Sequence, residues 1–385
     1  MIVAMSVEMI SLTATHSRMQ SAVDAAALAG ARQASLSLSA GSVTSYAVSF
    51  ANQQVADLPA SMKINFTAAQ STNNTVQVNG IATRDSFFGN LVPPGGFTIR
   101  VTATADALNK QPLCVLGVQN NTKQNSIWLS DNAQIQANNC LVHSNGSMNT
   151  LLKARINAGS ISARGNAFGN GYSPNANIGA LTIENPFLNK QIMGKTACKD
   201  EDEEKNTVYA APANYKLAAG VHEAQITVNA DATLVLGAGD HIFCRGLVIQ
   251  QEGVLKGENV ALLFQRGSLI AEDEARLDLT GRTTGLWAGF VIAADTSNQE
   301  EMVISSPNVT KLLGAIYLAN ASLTIDSAGS VAEDSHWSVV VANKINILGN
   351  SKLVINSDYE GSGVPVPLGV GNQQSEMQTG ARLRQ

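Results

Sequence analysis

Charge and aromatic rings are scarce in this chain: of 385 residues, 14% are charged and 5% aromatic. The net charge of −5 comes without a basic patch anywhere, which argues against nucleic acid as a partner, since phosphate binding needs concentrated Lys and Arg. There are four cysteines, Cys114, Cys140, Cys198 and Cys244, and no CxxC. With no His or second Cys at ligand spacing, a metal site has no support. The five histidines, His16, His143, His222, His241 and His336, show no HxxxH or HxH spacing, so a zinc hydrolase is unsupported. GxSxG, a P-loop and a GxGxxG opening a helix are also missing. The GAG at 237–239, ahead of Asp240 and His241, reads as a β-turn rather than a phosphate cradle. No cofactor is implied.

Long apolar runs are missing too. The greasiest segment, MIVAMSVEMISL at 1–12, is interrupted by Ser6, Glu8 and Ser11. It falls short of the roughly 20 apolar residues of a spanning helix. It has no basic n-region and no clear cleavage site, so it does not read as a signal peptide. Either it lies in the membrane interface or half of a membrane helix lies upstream of Met1, and the second is the expectation. Glu8 then sits in an apolar segment, where an ionisable group is costly and usually has a partner or a role. Exposure near a helix start is its alternative.

What the chain does have is Gly, Ser, Asn, Thr and Ala, a mix that suits exported β-rich or repeat proteins. Residues 18–32, RMQSAVDAAALAGAR, are strongly helix-forming. Ala22, Ala26 and Gly30 fall four apart on one stripe, which lets another helix approach closely. A first helix over 2–35 would be about 50 Å long at 1.5 Å per residue. Gly41 and Ser42 punctuate it, a second helix follows over 43–56, and Pro59 ends that one. Beyond it the period turns alternating, predicting strands at 63–68, 75–84 and 97–105 in a small antiparallel sheet. The organisation read from this is a partly membrane-embedded helix (1–40), a small α+β unit (41–108) and a linker at 109–112.

From 113 to 358 the character changes. Apolar runs of three to five residues recur between Gly, Asn, Asp and Ser, as at 226–228, 233–236, 247–249, 260–264, 323–325 and 345–348. Dense, short strands with Gly/Asn corners predict a parallel β-helix-like solenoid burying its core between stacked coils. The alternative is a β-sandwich or jelly roll. Residues 359–385, rich in Gly, Pro and Gln, read as a disordered tail. The four cysteines allow three pairings, sequential bridging being the simplest, with four buried thiols as the other reading. Acidic residues are scattered: Glu272, Asp273 and Glu274 share a turn, and the run KDEDEEK at 199–205 lacks the spacing of a calcium loop, so it reads as a solvated loop.

RMQSAVDAAALAGAR resembles the juxtamembrane signature of TadG-like proteins of the Tad (tight adherence) Flp pilus assembly system. In that family a membrane helix runs through an acidic residue into a Gln-x-Ala-x-Asp-Ala-Ala-Ala-Leu-Ala pattern. Glu8 stands where the acidic residue falls, Arg18 lies two residues before Gln20, and Asp24 opens the alanine run. FTIRVTATADA at 97–107 and PLCVLGV at 112–118 also resemble the family. A metal-dependent adhesion motif of the DxSxS kind is missing. The resemblance implies a non-enzymatic bacterial envelope protein, anchored in the inner membrane, with a periplasmic or extracellular body. It further implies docking on other Tad pilus assembly proteins through the N-terminal helix, at Ala22, Ala26 and Gly30. The competing readings are a secreted β-helix enzyme acting on glycans, and an adhesin binding surfaces directly.

Overall fold

A computed structural model describes residues 2–34, 40–59, 61–71, 75–86, 96–108, 112–188, 190, 198, 206–370 and 380–384. The run at 199–205 and the linker at 109–111 lie outside the described residues. The chain forms two compact units, residues 1–110 with 374–385, and residues 111–373.

The first unit contains α1 (Ile2–Ala34), α2 (Ala40–Gln54), β1 (Lys63–Gln70), β2 (Thr75–Arg84) and β3 (Phe97–Leu108). The strands pair antiparallel in the order β1, β2, β3, and the C-terminal strand Gly380–Arg384 adds on beyond β3, with Gly380 opposite Leu108. The expectation of disorder over 359–385 is therefore corrected at that strand, whose apolar alternation is short but finds an open sheet edge. It is corrected also at 359–370: Tyr359 packs on Trp337, the Trp337 indole donates to the Ser362 hydroxyl at 3.0 Å, and Val364 is buried. Along β2 every second residue from Val76 to Ala82 is buried, the period-2 signature of a sheet with one covered face. Gly80 sits directly opposite Phe66, and a Cβ there would come within 2.7 Å of that ring. The cover is α1, whose Met19, Ala22, Val23, Ala26, Ala27 and Ala31 are buried at helical spacing. Residues 1–40 and 41–108 are thus one unit rather than two.

The second unit is a parallel β-solenoid of about ten turns. Three ladders run its length, in which each coil's strands pair with those of the next, for example Ile226 with Leu247, Leu234 with Leu255 and His241 with Leu262. Parallel pairing throughout these ladders excludes the sandwich and jelly-roll alternatives, which are built on antiparallel strands. The inward face is a continuous column of Ile, Leu and Val running from Val115 to Ile355.

One corner repeats with great regularity. Residues 131, 152, 251, 273 and 349 all take left-handed backbone angles, and two positions further on stands a small buried residue: Ala133, Ala154, Gly253, Ala275 and Ser351. In each corner that small residue's N–H bonds back to the carbonyl three residues earlier. Ala232 does the same behind Ala230 and Asp231. A small residue is required because the turn brings backbone against backbone, and the apolar residue two further on then points into the core.

The coils do not stack in sequence order. The strand at Leu113–Gly117 pairs with Ser338–Ile347, and Gln134–Gln136 pairs with Lys352–Val354, so the unit's first coil lies against its last in sequence. From there the chain winds outward to Asn177–Ile178, and coiling restarts at Asn206 at the opposite end. This order has a physical use. The coiling thereby starts and finishes in neighbouring coils. A solenoid read straight through would part its termini by about 4.8 Å for every coil.

Candidate functional site

The family-like residues of α1 fall on three different surroundings. Glu8 is buried, its carboxylate accepting from Arg84 Nη2 at 2.5 Å, while Arg84 Nη1 donates to Ser11 Oγ at 2.7 Å. Arg18 pairs with Asp57 on the surface and holds that carboxyl below its usual range. Gln20 donates to Asp24 one turn along the helix at 2.9 Å and to the Thr102 carbonyl of β3 at 3.0 Å. These polar residues thus tie α1 to the sheet and to the turn after α2.

The expectation that Ala22, Ala26 and Gly30 offer a docking face to partner helices is corrected. All three are buried within the unit. A Cβ on Gly30 would meet Val76 at 3.0 Å and Ala47 at 3.2 Å, so the helix that approaches this stripe is the chain's own α2. Small residues serve the close approach that their spacing predicts, but the approach is internal. The large apolar side chains that α1 leaves exposed are near its start: Val7, Met9 and Ile10 are 48%, 63% and 70% exposed. No helix among the described residues is long and apolar enough to cross a membrane.

In the solenoid, both disulfides follow chain order: Cys114 with Cys140 and Cys198 with Cys244. The first joins adjacent coils, since Leu113 and Leu141 are ladder partners. The second fixes a strap. After Ile178 the chain runs back across successive coils: Ala180 bonds to Ala163, Ile183 to Asn145, Asn185 to the Tyr317 hydroxyl, and Cys198 to Gln265. Phe187 anchors it edge-on to Phe290 and Tyr317, at 4.8 and 5.3 Å between ring centres.

Beneath this strap lies His143, fully buried, its side chain reaching Ser162 Oγ at 2.7 Å and Asn145 Oδ1 at 3.1 Å. An amide oxygen only accepts, so Nε2 carries the proton and Nδ1 accepts from the serine hydroxyl. Burial holds its pKa down to about 4, against the opposing pull of the Asn145 contact. A second pair, His222 and His241, stacks at 5.2 Å and hydrogen-bonds ring to ring at 3.0 Å. His241 Nε2 donates to the Gly237 carbonyl, so its Nδ1 accepts from His222. Burial first, then the neighbouring ring, lowers His222 to about 4. These imidazoles are neutral packing and clamping elements.

No protein-family model, curated protein or solved structure matches this chain. Its chemistry therefore rests on the geometry alone. Among the described residues one group, Cys198, Glu223 and Cys244, brings ligand-type atoms within 4.8 Å of one another. Both sulfurs are joined in the disulfide, so a single carboxylate is left to offer an ion. A polar groove of about 490 Å³ is lined by Asn139, Glu333, Asp334, Ser335, His336 and Asp358, with His336 bonded to Asp358 at 3.0 Å. Its three carboxylates are exposed, so the burial that distinguishes an acid from a base in a glycosidase pair is not provided there. Glu272 and Glu274 flank the left-handed Asp273 at a solenoid corner, and Asp278 pairs with Lys311. Reading the sequence missed the roles of Asn145, His143 and Arg84. The signal that could have exposed the coils was the small-x-aliphatic triplet at 133–135, 154–156, 253–255, 275–277 and 351–353, whose spacing gives one coil per triplet.

Proposed function

We propose that this chain is a non-enzymatic protein of the bacterial envelope that takes part in assembling or anchoring Flp/Tad-type pili, held at the inner membrane through its N-terminal helix. The observation that carries the reading is the first part of α1, which turns its single carboxylate inward onto Arg84 and presents Val7, Met9 and Ile10 outward. A helix surface built this way suits apolar surroundings, either lipid or a partner's helix. Two disulfides fit an oxidising compartment. The motif at Arg18, Gln20 and Asp24 fits as the part that fastens this helix within its own unit, Gln20 to the sheet and Arg18 to Asp57. Partner contact is then assigned to the first turns of α1 and not to Ala22, Ala26 and Gly30.

The test is the full chain carrying Val7→Glu, Met9→Glu and Ile10→Glu together, expressed in the native host. It should leave the membrane fraction and abolish piliation, while ellipticity at 222 nm is kept because none of the three side chains is buried. Unchanged membrane association and normal pili in this variant would overturn the reading.

A further inference from the structure

Both ends of the solenoid stop in mid-lattice. One end is formed by the two-residue strands Ala167–Phe168, Tyr172–Ser173 and Asn177–Ile178, the other by Asn206–Ala210, Asn214–Leu217 and Gly220–His222. Among the described pairings each of these strands is bonded on one side only. Among the described residues the core is open as well. Ala167, Tyr172 and Ala176 at one end, and Tyr209, Tyr215 and Leu217 at the other, pack on the buried column while staying only partly covered. Phe168, Ile178 and Val208 are each at least half exposed. Solenoids that remain single normally end in a polar capping repeat, and an open strand edge is a template for pairing.

Because every ladder is parallel, the two ends are opposite edges of one lattice. One end supplies what the other lacks, and two copies of the same end would meet with their strands reversed. The molecule already contains one joint between coils that are far apart in sequence: Val340 pairs with Val115, Ile345 with Ile127 and Leu353 with Ile135, in register in all three ladders.

We infer that the solenoid docks head to tail on a second copy of this chain. The edge at 167–178 receives the edge at 206–222 of the next molecule, and Tyr172 and Tyr215 become successive layers of one core. Such a contact is heterologous, so it repeats into open filaments rather than closing as a dimer. The inference does not depend on the membrane reading above.

The test uses the full chain and two variants, Tyr172→Lys and Tyr215→Lys, each of which places an unpaired charge in the joint. By sedimentation velocity the unsubstituted chain should show a ladder of species that lengthens with concentration. Each variant alone should sediment as a monomer, because each retains one usable end but no matching end. Their equimolar mixture should stop at dimers, which also shows that both variants fold. A chain that stays monomeric to about 1 mM, the weak limit of specific association, would overturn the inference. So would a closed dimer disrupted by only one of the two variants, or a mixture that forms no dimer.

Discussion

Removing either partner of the Glu8–Arg84 pair should unfold the first unit far more readily than its position near the start of a helix implies. The two side chains are 6% and 9% exposed, so Glu8→Ala takes the Glu8 carboxylate away from a buried guanidinium. Breaking a buried pair from one side costs about 3–5 kcal/mol. For a unit of this size that is a fall in melting temperature of about 10–20 °C. Replacing both partners with apolar residues of similar size, Glu8→Leu with Arg84→Met, should recover most of the loss, since an apolar pair leaves no charge buried. The two units can be followed separately. Both described helices belong to the first, so ellipticity at 222 nm reports on it, whereas Trp128, Trp287 and Trp337 all lie in the second and their fluorescence reports on the solenoid. The single variants should therefore shift the 222 nm transition and leave the fluorescence transition in place. Arg18→Ala serves as the control, because its pair with Asp57 is exposed on both sides and exposed pairs contribute little. If Glu8→Ala moves the 222 nm midpoint no more than Arg18→Ala does, the pair is not a buried lock.

Three further outcomes follow from the solenoid. His143 has a folded-state pKa near 4 against 6.5 when free, so below 6.5 the unfolded chain binds the extra proton and stability falls with acidity, levelling off below 4. The difference amounts to roughly 3 kcal/mol, and His143→Gln should flatten that part of the fluorescence-monitored stability curve; an unaltered slope would refute it. Asn145→Ala removes both bonds to the Ile183 backbone, so limited proteolysis should cut faster near residue 183, at a cost of about 1–3 kcal/mol for each buried group left unpaired. Equal cleavage rates would show that the strap is held elsewhere. Cys198→Ser with Cys244→Ser opens a loop spanning 46 residues, worth up to about 4 kcal/mol, and should lower the denaturant midpoint seen by tryptophan fluorescence. A midpoint equal to that of the oxidised parent would contradict this.

The strands at 75–84 and the helix beginning at Ile2 were legible because their periods are long enough to be unambiguous. The solenoid was legible as a class, since short aliphatic runs with turn residues between them fit few other architectures. The docking stripe on α1 was legible as a surface for close packing but not as to its occupant. Ala22, Ala26 and Gly30 specify only that something approaches, and the choice of Val76 and Ala47 follows from how α2 and β2 fold over them. Arg84 as the partner of Glu8 lies 76 residues away at the end of β2, where no local pattern could link the two.

By itself, the amino-acid sequence determined the element types: where backbone runs helical, where it alternates, and where a small residue permits a tight corner. These are local consequences of side-chain volume and period. Only the tertiary structure decided the order of the coils, the cysteine pairing and the partly covered residues at the two ends. The coils resemble one another closely enough that many stackings satisfy the local pattern. The order adopted is the one in which the coiling starts and finishes in neighbouring coils. That same order puts the solenoid's open edges in the middle of the sequence, where nothing local marks them as ends.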